Sequence, residues 1–156
     1  MDLDELRLTV TEPRPPGSGA LVIGYGNPLR GDDGAGPEAA RRLSEHGIEA
    51  LSVHQLTPEL AERISAARAV FFLDASESLP PGGVAVKPLE ASAAGPMEHY
   101  ASPAALLRLA REVYDAQPEA WLIAMGGAGF ELGEGLSEAA ERAVSRAVQA
   151  VLELGQ

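Results

Sequence analysis

Three separated points in this 156-residue sequence carry side chains able to do chemistry: the pair Asp32-Asp33, the single Asp74, and His99. They lie far apart along the chain, so only the fold can bring them together. Two carboxylates and an imidazole that converge offer oxygen and nitrogen donors, a set suited to a borderline divalent ion such as nickel or zinc. Three protein ligands leave coordination positions for water or substrate. Each residue also has a plainer reading. An Asp at a helix start is ordinarily a cap, an Asp at a strand end a turn residue, and a lone loop His a surface residue. His46 reads as a cation at a helix C-terminus, and His54, on or just past a strand, reads as structural.

Other chemistries find less support. The chain has no cysteine, which removes a thiol nucleophile, a thiolate metal site and any disulfide framework. It has no G-x-S-x-G elbow, no H-E-x-x-H helix and no P-loop. The turn Gly24-Tyr-Gly-Asn27 has the look of a dinucleotide-binding loop, but the third glycine of that pattern falls at Leu29.

The elements that must position these residues follow from apolar patterning. Ala20–Tyr25 is a short apolar run bounded by glycines, as expected of a buried strand. A loop then leads to a helix from about Gly34 to Glu45, with Asp32 or Asp33 placed to cap it and Pro37 in its first turn. Glu49–Leu56 reads as a second strand, and Pro58–Arg68 as a second helix opened by Thr57. Ala69–Leu73 reads as a buried strand ending at Asp74, and Gly83–Pro88 as a short strand after a Pro-Gly turn. A helix over Ser102–Tyr114, a strand over Ala120–Ala124 and a last helix from Ser137 to about Leu154 complete the chain, with Ser137 as cap in a near capping box. Strands alternating with helices imply an α/β domain whose mainly parallel sheet carries helices on both faces. In such sheets ligands bind beyond the carboxyl ends of the strands, where Asp32-Asp33, Asp74 and His99 all fall in this reading.

The length is that of one domain, expected over 20–156, with 1–19 as an N-terminal arm or linker around Glu12-Pro-Arg-Pro-Pro-Gly-Ser-Gly19. A net charge of −11 argues against nucleic acid and against an anionic membrane as partner, since both need a basic face. No apolar run is long enough to span a bilayer. The acidic start, with Asp2, Asp4 and Glu5, lacks the basic and apolar regions of a signal peptide. The expected compartment is the cytoplasm.

The stretch Gly24-Tyr-Gly-Asn-Pro-Leu-Arg-Gly-Asp-Asp-Gly-Ala-Gly36 resembles the signature of the hydrogenase maturation proteases. Phe72-Leu-Asp-Ala75 resembles that family's second marker, and Glu98-His-Tyr-Ala-Ser-Pro-Ala-Ala-Leu-Leu107 its third, a His ahead of a Leu-rich helix. The resemblance runs from Ala20 to about Leu154. Val53–Leu60 and Phe130–Ser137 look most like the branch that serves soluble, cytoplasmic hydrogenases. Two features depart from the pattern. Some members carry Glu where this chain has the shorter Asp33, and a Gly-Thr pattern after the second strand is replaced here by Gln55-Leu-Thr-Pro58.

The resemblance implies a twisted sheet of about five strands sandwiched between helices in three layers. It implies an endopeptidase that cuts the C-terminal extension from a nickel-loaded [NiFe] hydrogenase large subunit precursor. By motif position the metal ligands match Asp33, Asp74 and His99, with Asp33 and Asp74 also serving catalysis. The nickel is expected to arrive with the substrate, and other divalent metals to substitute for it. Two rival readings stay open: a non-catalytic assembly factor that holds the large subunit, and a small-ligand-binding α/β module whose glycine-rich loop cradles a phosphate.

Overall fold

A computed structural model describes residues 19–92 and 102–155. The expected arm, apart from Gly19, and His99 lie outside the described residues. Strands β1 (Ala20–Tyr25), β2 (Glu49–Val53), β3 (Ala69–Ser76), β4 (Val84–Pro88) and β5 (Glu119–Gly126) form one sheet in the order β2-β1-β3-β5-β4. Helices α1 (Ala35–Ser44), α2 (Leu60–Ser65), α3 (Pro103–Tyr114) and α4 (Glu138–Leu154) cover it. Neighbouring strands are parallel except β4, which runs antiparallel to β5. The short link after β3 has no room for a helical crossover, so the chain can only turn back.

The apolar strands divide their side chains by parity. In β3, Phe71 and Leu73 join Val22, Ile123 and Met125 against α1 and α4. Val70 and Phe72 join Leu21 and Ile23 against α2 and α3. A strand buried on both faces needs such a continuous apolar run, and the two helical layers supply the partners. Leu43 of α1 and Val144 and Ala147 of α4 close one core, while Ile64 of α2 and Leu106 and Ala110 of α3 close the other. The architecture is the expected three-layer α/β sandwich.

Two serines cap helices, Ser137 as the sequence implies and Ser102 in addition. Ser102 Oγ accepts from the Ala105 N–H at 3.2 Å, with Pro103 in the first turn of α3. Ser137 Oγ accepts from the Ala140 N–H at 3.1 Å at the start of α4. Thr57 does not cap α2. Its carbonyl closes a turn with the Leu60 N–H, and the helix begins only there, shorter than expected, with Glu59 before it. Close helix–sheet contact explains one glycine: a Cβ on Gly36 would lie 2.5 Å from the Tyr25 carbonyl oxygen and 2.6 Å from that of Leu73. The first turn of α1 thus rests directly on the backbones of β1 and β3.

Candidate active site

The register of β1 and β3 pairs Gly24 with Leu73 and so brings Tyr25 beside Asp74, one step further along. Asp74 does not end its strand. β3 continues through Ser76, because β5 pairs with it as far as Gly126, and Asp74 lies opposite Ala124. Parity places Asp74 with Val70 and Phe72, on the α2–α3 side of the sheet. It is half-buried there, and the Tyr25 hydroxyl donates a hydrogen bond to its carboxylate.

Asp33 arrives from the other direction. β1 leads into a loop and then a 3-10 turn, Gly31–Gly34, ahead of α1. Gly26 permits the exit from β1: its φ is +146°, and a Cβ there would strike the Asp33 carbonyl oxygen at 2.0 Å. The Asp33 carboxylate turns back to accept the Asn27 N–H at 2.6 Å. The Asn27 side chain accepts the Leu29 N–H at 3.0 Å, holding the loop in a tight turn.

The two carboxylates are close enough to sense one another. Burial pushes the Asp74 carboxyl up, the Asp33 charge adds to this, and the hydrogen bonds from Tyr25 and the Ala75 N–H pull it back, leaving it at about 6. Burial, with the Asp74 charge and the bond to it, holds the Tyr25 phenol far above its ordinary range. A carboxyl raised in this way can exchange a proton in acid–base work. The mutual repulsion of the two carboxylates would also be relieved by a divalent cation between them, and carboxylate oxygens are fit donors for one.

Of the residues singled out by sequence, Asp33 and Asp74 come together at the carboxyl edge of the sheet. Among the described residues no three His, Cys, Asp or Glu side chains gather as a metal-holding set. The third expected ligand, His99, lies outside the described residues. His54 follows β2 at the same edge and is exposed, and His46 sits exposed in the turn after α1.

Neither Asp32 nor Asp33 caps α1. The intervening 3-10 turn makes Gly34 the residue before the helix, and no side chain caps it. Asp32 instead points inward, at 1% exposure. Burial acts to raise its pKa, but hydrogen bonds from the Ser137 side chain and from the Ser137, Gly129 and Ala128 N–H groups outweigh that and hold the carboxyl below its ordinary value. Tyr25 was not among the site residues read from the sequence. Its signal is parity with Leu21 and Ile23, which becomes informative only once β1 is known to neighbour β3.

No family model matches the sequence, and no curated protein matches it closely enough to be counted a relative. Solved structures do match. The fold superposes on the [NiFe] hydrogenase maturation protease HybD of Thermococcus kodakarensis with a TM-score of 0.71 and 25% identity, covering 88% of this chain and 99% of that one. A hydrogenase 2 maturation peptidase from a Thaumarchaeota archaeon shares 28% identity, with a TM-score of 0.63 over 86% of this chain and 96% of its own. The hydrogenase maturating endopeptidase HybD of E. coli, at 21% identity, shares the fold with a TM-score of 0.70 over 86% and 90%. Nearly the whole length of each neighbour is matched. Over most of its length the chain thus shares the fold of solved hydrogenase maturation proteases and peptidases.

Proposed function

We propose that the protein is an endopeptidase that removes the C-terminal extension of a nickel-loaded [NiFe] hydrogenase large subunit precursor, acting in the cytoplasm. The observation that carries this reading is the meeting of Asp33 and Asp74, one from the loop after β1 and one from the carboxyl-terminal half of β3. That pair sits in the fold shared with maturation endopeptidases. In the precursor the metal is part of the substrate. Asp33 and Asp74, with His99 as the third ligand, would bind it and so hold the adjoining tail at the carboxylate pair. A bound divalent ion polarises a carbonyl or lowers the pKa of water. Asp74, its carboxyl raised to about 6, is suited to take a proton from the attacking water.

The phosphate-cradle alternative gains no support from the loop itself. The Asn27 N–H, a donor such a cradle needs, is already taken by Asp33. A holding factor without catalysis is separated by experiment. Incubation with nickel-loaded precursor, followed by mass spectrometry, is expected to release the tail, and Asp33→Ala is expected to abolish release while keeping the fold. Nickel-free precursor is expected to stay uncut, because without the metal the flexible tail must be ordered by weak contacts alone. Equal cleavage of both precursor forms would overturn metal sensing, and no cleavage of either would overturn the peptidase reading.

A further inference from the structure

The loop after β5, residues 127–137, is fastened to the loop after β1 by a buried carboxylate. Asp32 Oδ2 accepts the Ala128 N–H at 2.6 Å, the Gly129 N–H at 3.0 Å and the Ser137 hydroxyl at 2.7 Å. Its Oδ1 accepts the Ser137 N–H at 2.8 Å. Backbone bonds extend the clasp: Asp32 N–H to the Gly129 carbonyl at 2.7 Å, Gly31 N–H to that of Gly133 at 2.8 Å, and Gly133 N–H to that of Leu29 at 2.7 Å. The fit is tight, since a Cβ on Gly127 would come within 2.7 Å of the Asp32 Cβ.

The sheet order gives this clasp its meaning. β1 and β5 flank β3, so a tie between the loops that follow them spans the end of the strand that carries Asp74. The same tie fixes the 3-10 turn from which Asp33 projects. Asp33 is the very next residue, and its own N–H is held by the Arg30 carbonyl within that turn. A buried carboxylate with four donors is a costly way to join two loops unless the join must be rigid, because charge-assisted bonds are short and directional.

We propose that Asp32 is a positioning residue of the site, whose clasp on residues 128–137 sets where Asp33 stands relative to Asp74. This rests on the reading of Asp33 and Asp74 as the working pair. Residues that orient metal-binding or reacting groups through hydrogen bonds typically change affinity or rate by about 10- to 100-fold when altered.

The test compares the wild-type chain with Asp32→Asn, Ser137→Ala and the double variant, each first shown to be folded by its cooperative melt. Asp32→Asn keeps the size but turns an amide against N–H donors. It is expected to lower kcat on nickel-loaded precursor by about 10- to 100-fold, to weaken nickel(II) binding measured by calorimetry by about 10-fold with KM rising in step, and to speed amide exchange at Ala128, Gly129 and Ser137. Ser137→Ala is expected to act in the same direction but less, and the double variant to be no worse than Asp32→Asn, because both remove one clasp. A folded Asp32→Asn with wild-type kcat and nickel affinity overturns the inference while leaving the peptidase reading intact. If the wild type does not cleave, the peptidase reading fails and nickel affinity decides the inference alone. Wild-type affinity in Asp32→Asn, or no nickel binding by either protein, overturns it.

Discussion

Removing one oxygen from Tyr25 should move the acid limb of the reaction. Tyr25→Phe deletes the hydroxyl that donates to Asp74 and leaves the ring packed against the core between the sheet and α2 and α3. That bond is one of two interactions pulling the Asp74 carboxyl down against its burial and against Asp33. A hydrogen bond to a charged acceptor is worth about 1.5–3 kcal/mol, so its loss raises the Asp74 midpoint by about one to two pH units. The lower figure applies where water fills the space left by the hydroxyl. In the wild type, kcat/KM is expected to fall below pH about 6 as Asp74 takes up its proton, since this ratio reports the free enzyme. The limb should shift upward in Tyr25→Phe, and carbon-detected titration of the Asp74 carboxyl should shift with it, Asp74→Asn serving to assign the signal. Stability follows the same linkage. The folded carboxyl holds its proton more tightly than the unfolded one, whose ordinary value is 3.8, so stability declines as pH rises from there to about 6. Tyr25→Phe widens that window at its upper end and should lose more stability between acid and neutral pH. An unchanged carboxyl midpoint and an unchanged limb would refute the claim that Tyr25 holds Asp74.

Asp32→Ala is expected to cost about 3 kcal/mol or more in chemical denaturation, because it strands buried donors on Ala128, Gly129 and Ser137. That is well above the ~1 kcal/mol of a lost helix cap. The stability Asp32 confers is present above the ordinary aspartate range, since its folded pKa lies lower, and should be lost as pH falls through that folded value, visible as an acid-denaturation limb that Asp32→Asn flattens. Gly36→Ala should lower stability by about 1–3 kcal/mol or more and loosen α1, as its Cβ meets two strand carbonyl oxygens at 2.5 and 2.6 Å; thermal melts of this variant beside Gly129→Ala, whose Cβ meets nothing within 4 Å, isolate the clash.

Local signals carried much of this fold. The apolar run of β1, the serine cap of α4 and the alternation of strands with helices are properties of neighbouring residues, and they place the sheet and its layers. Asp33 and Asp74 were legible because both follow apolar strand cores, and the carboxyl edge of a parallel sheet is where such positions collect. What escaped the sequence depends on distant partners. The last residues of β3 are not apolar, and they remain strand only because β5 pairs with them to Gly126. Asp32 looks like a cap from its neighbours alone, yet its partners lie 96 to 105 positions away. Thr57 had the right residue type for a cap, but Pro58 and Glu59 are spent in a turn before α2 starts.

The length of that reach bears on how the molecule comes into being. Contacts between residues about a hundred positions apart form only after the intervening chain has been ordered, and closing so long a loop is among the slower events of folding. β1 and β3 can pair early, but Asp33 is fastened only when β5 has joined β3 and the segment to Ser137 has folded back over it. During refolding, then, cleaving capacity should appear with the last kinetic phase and not with the first burst of secondary structure.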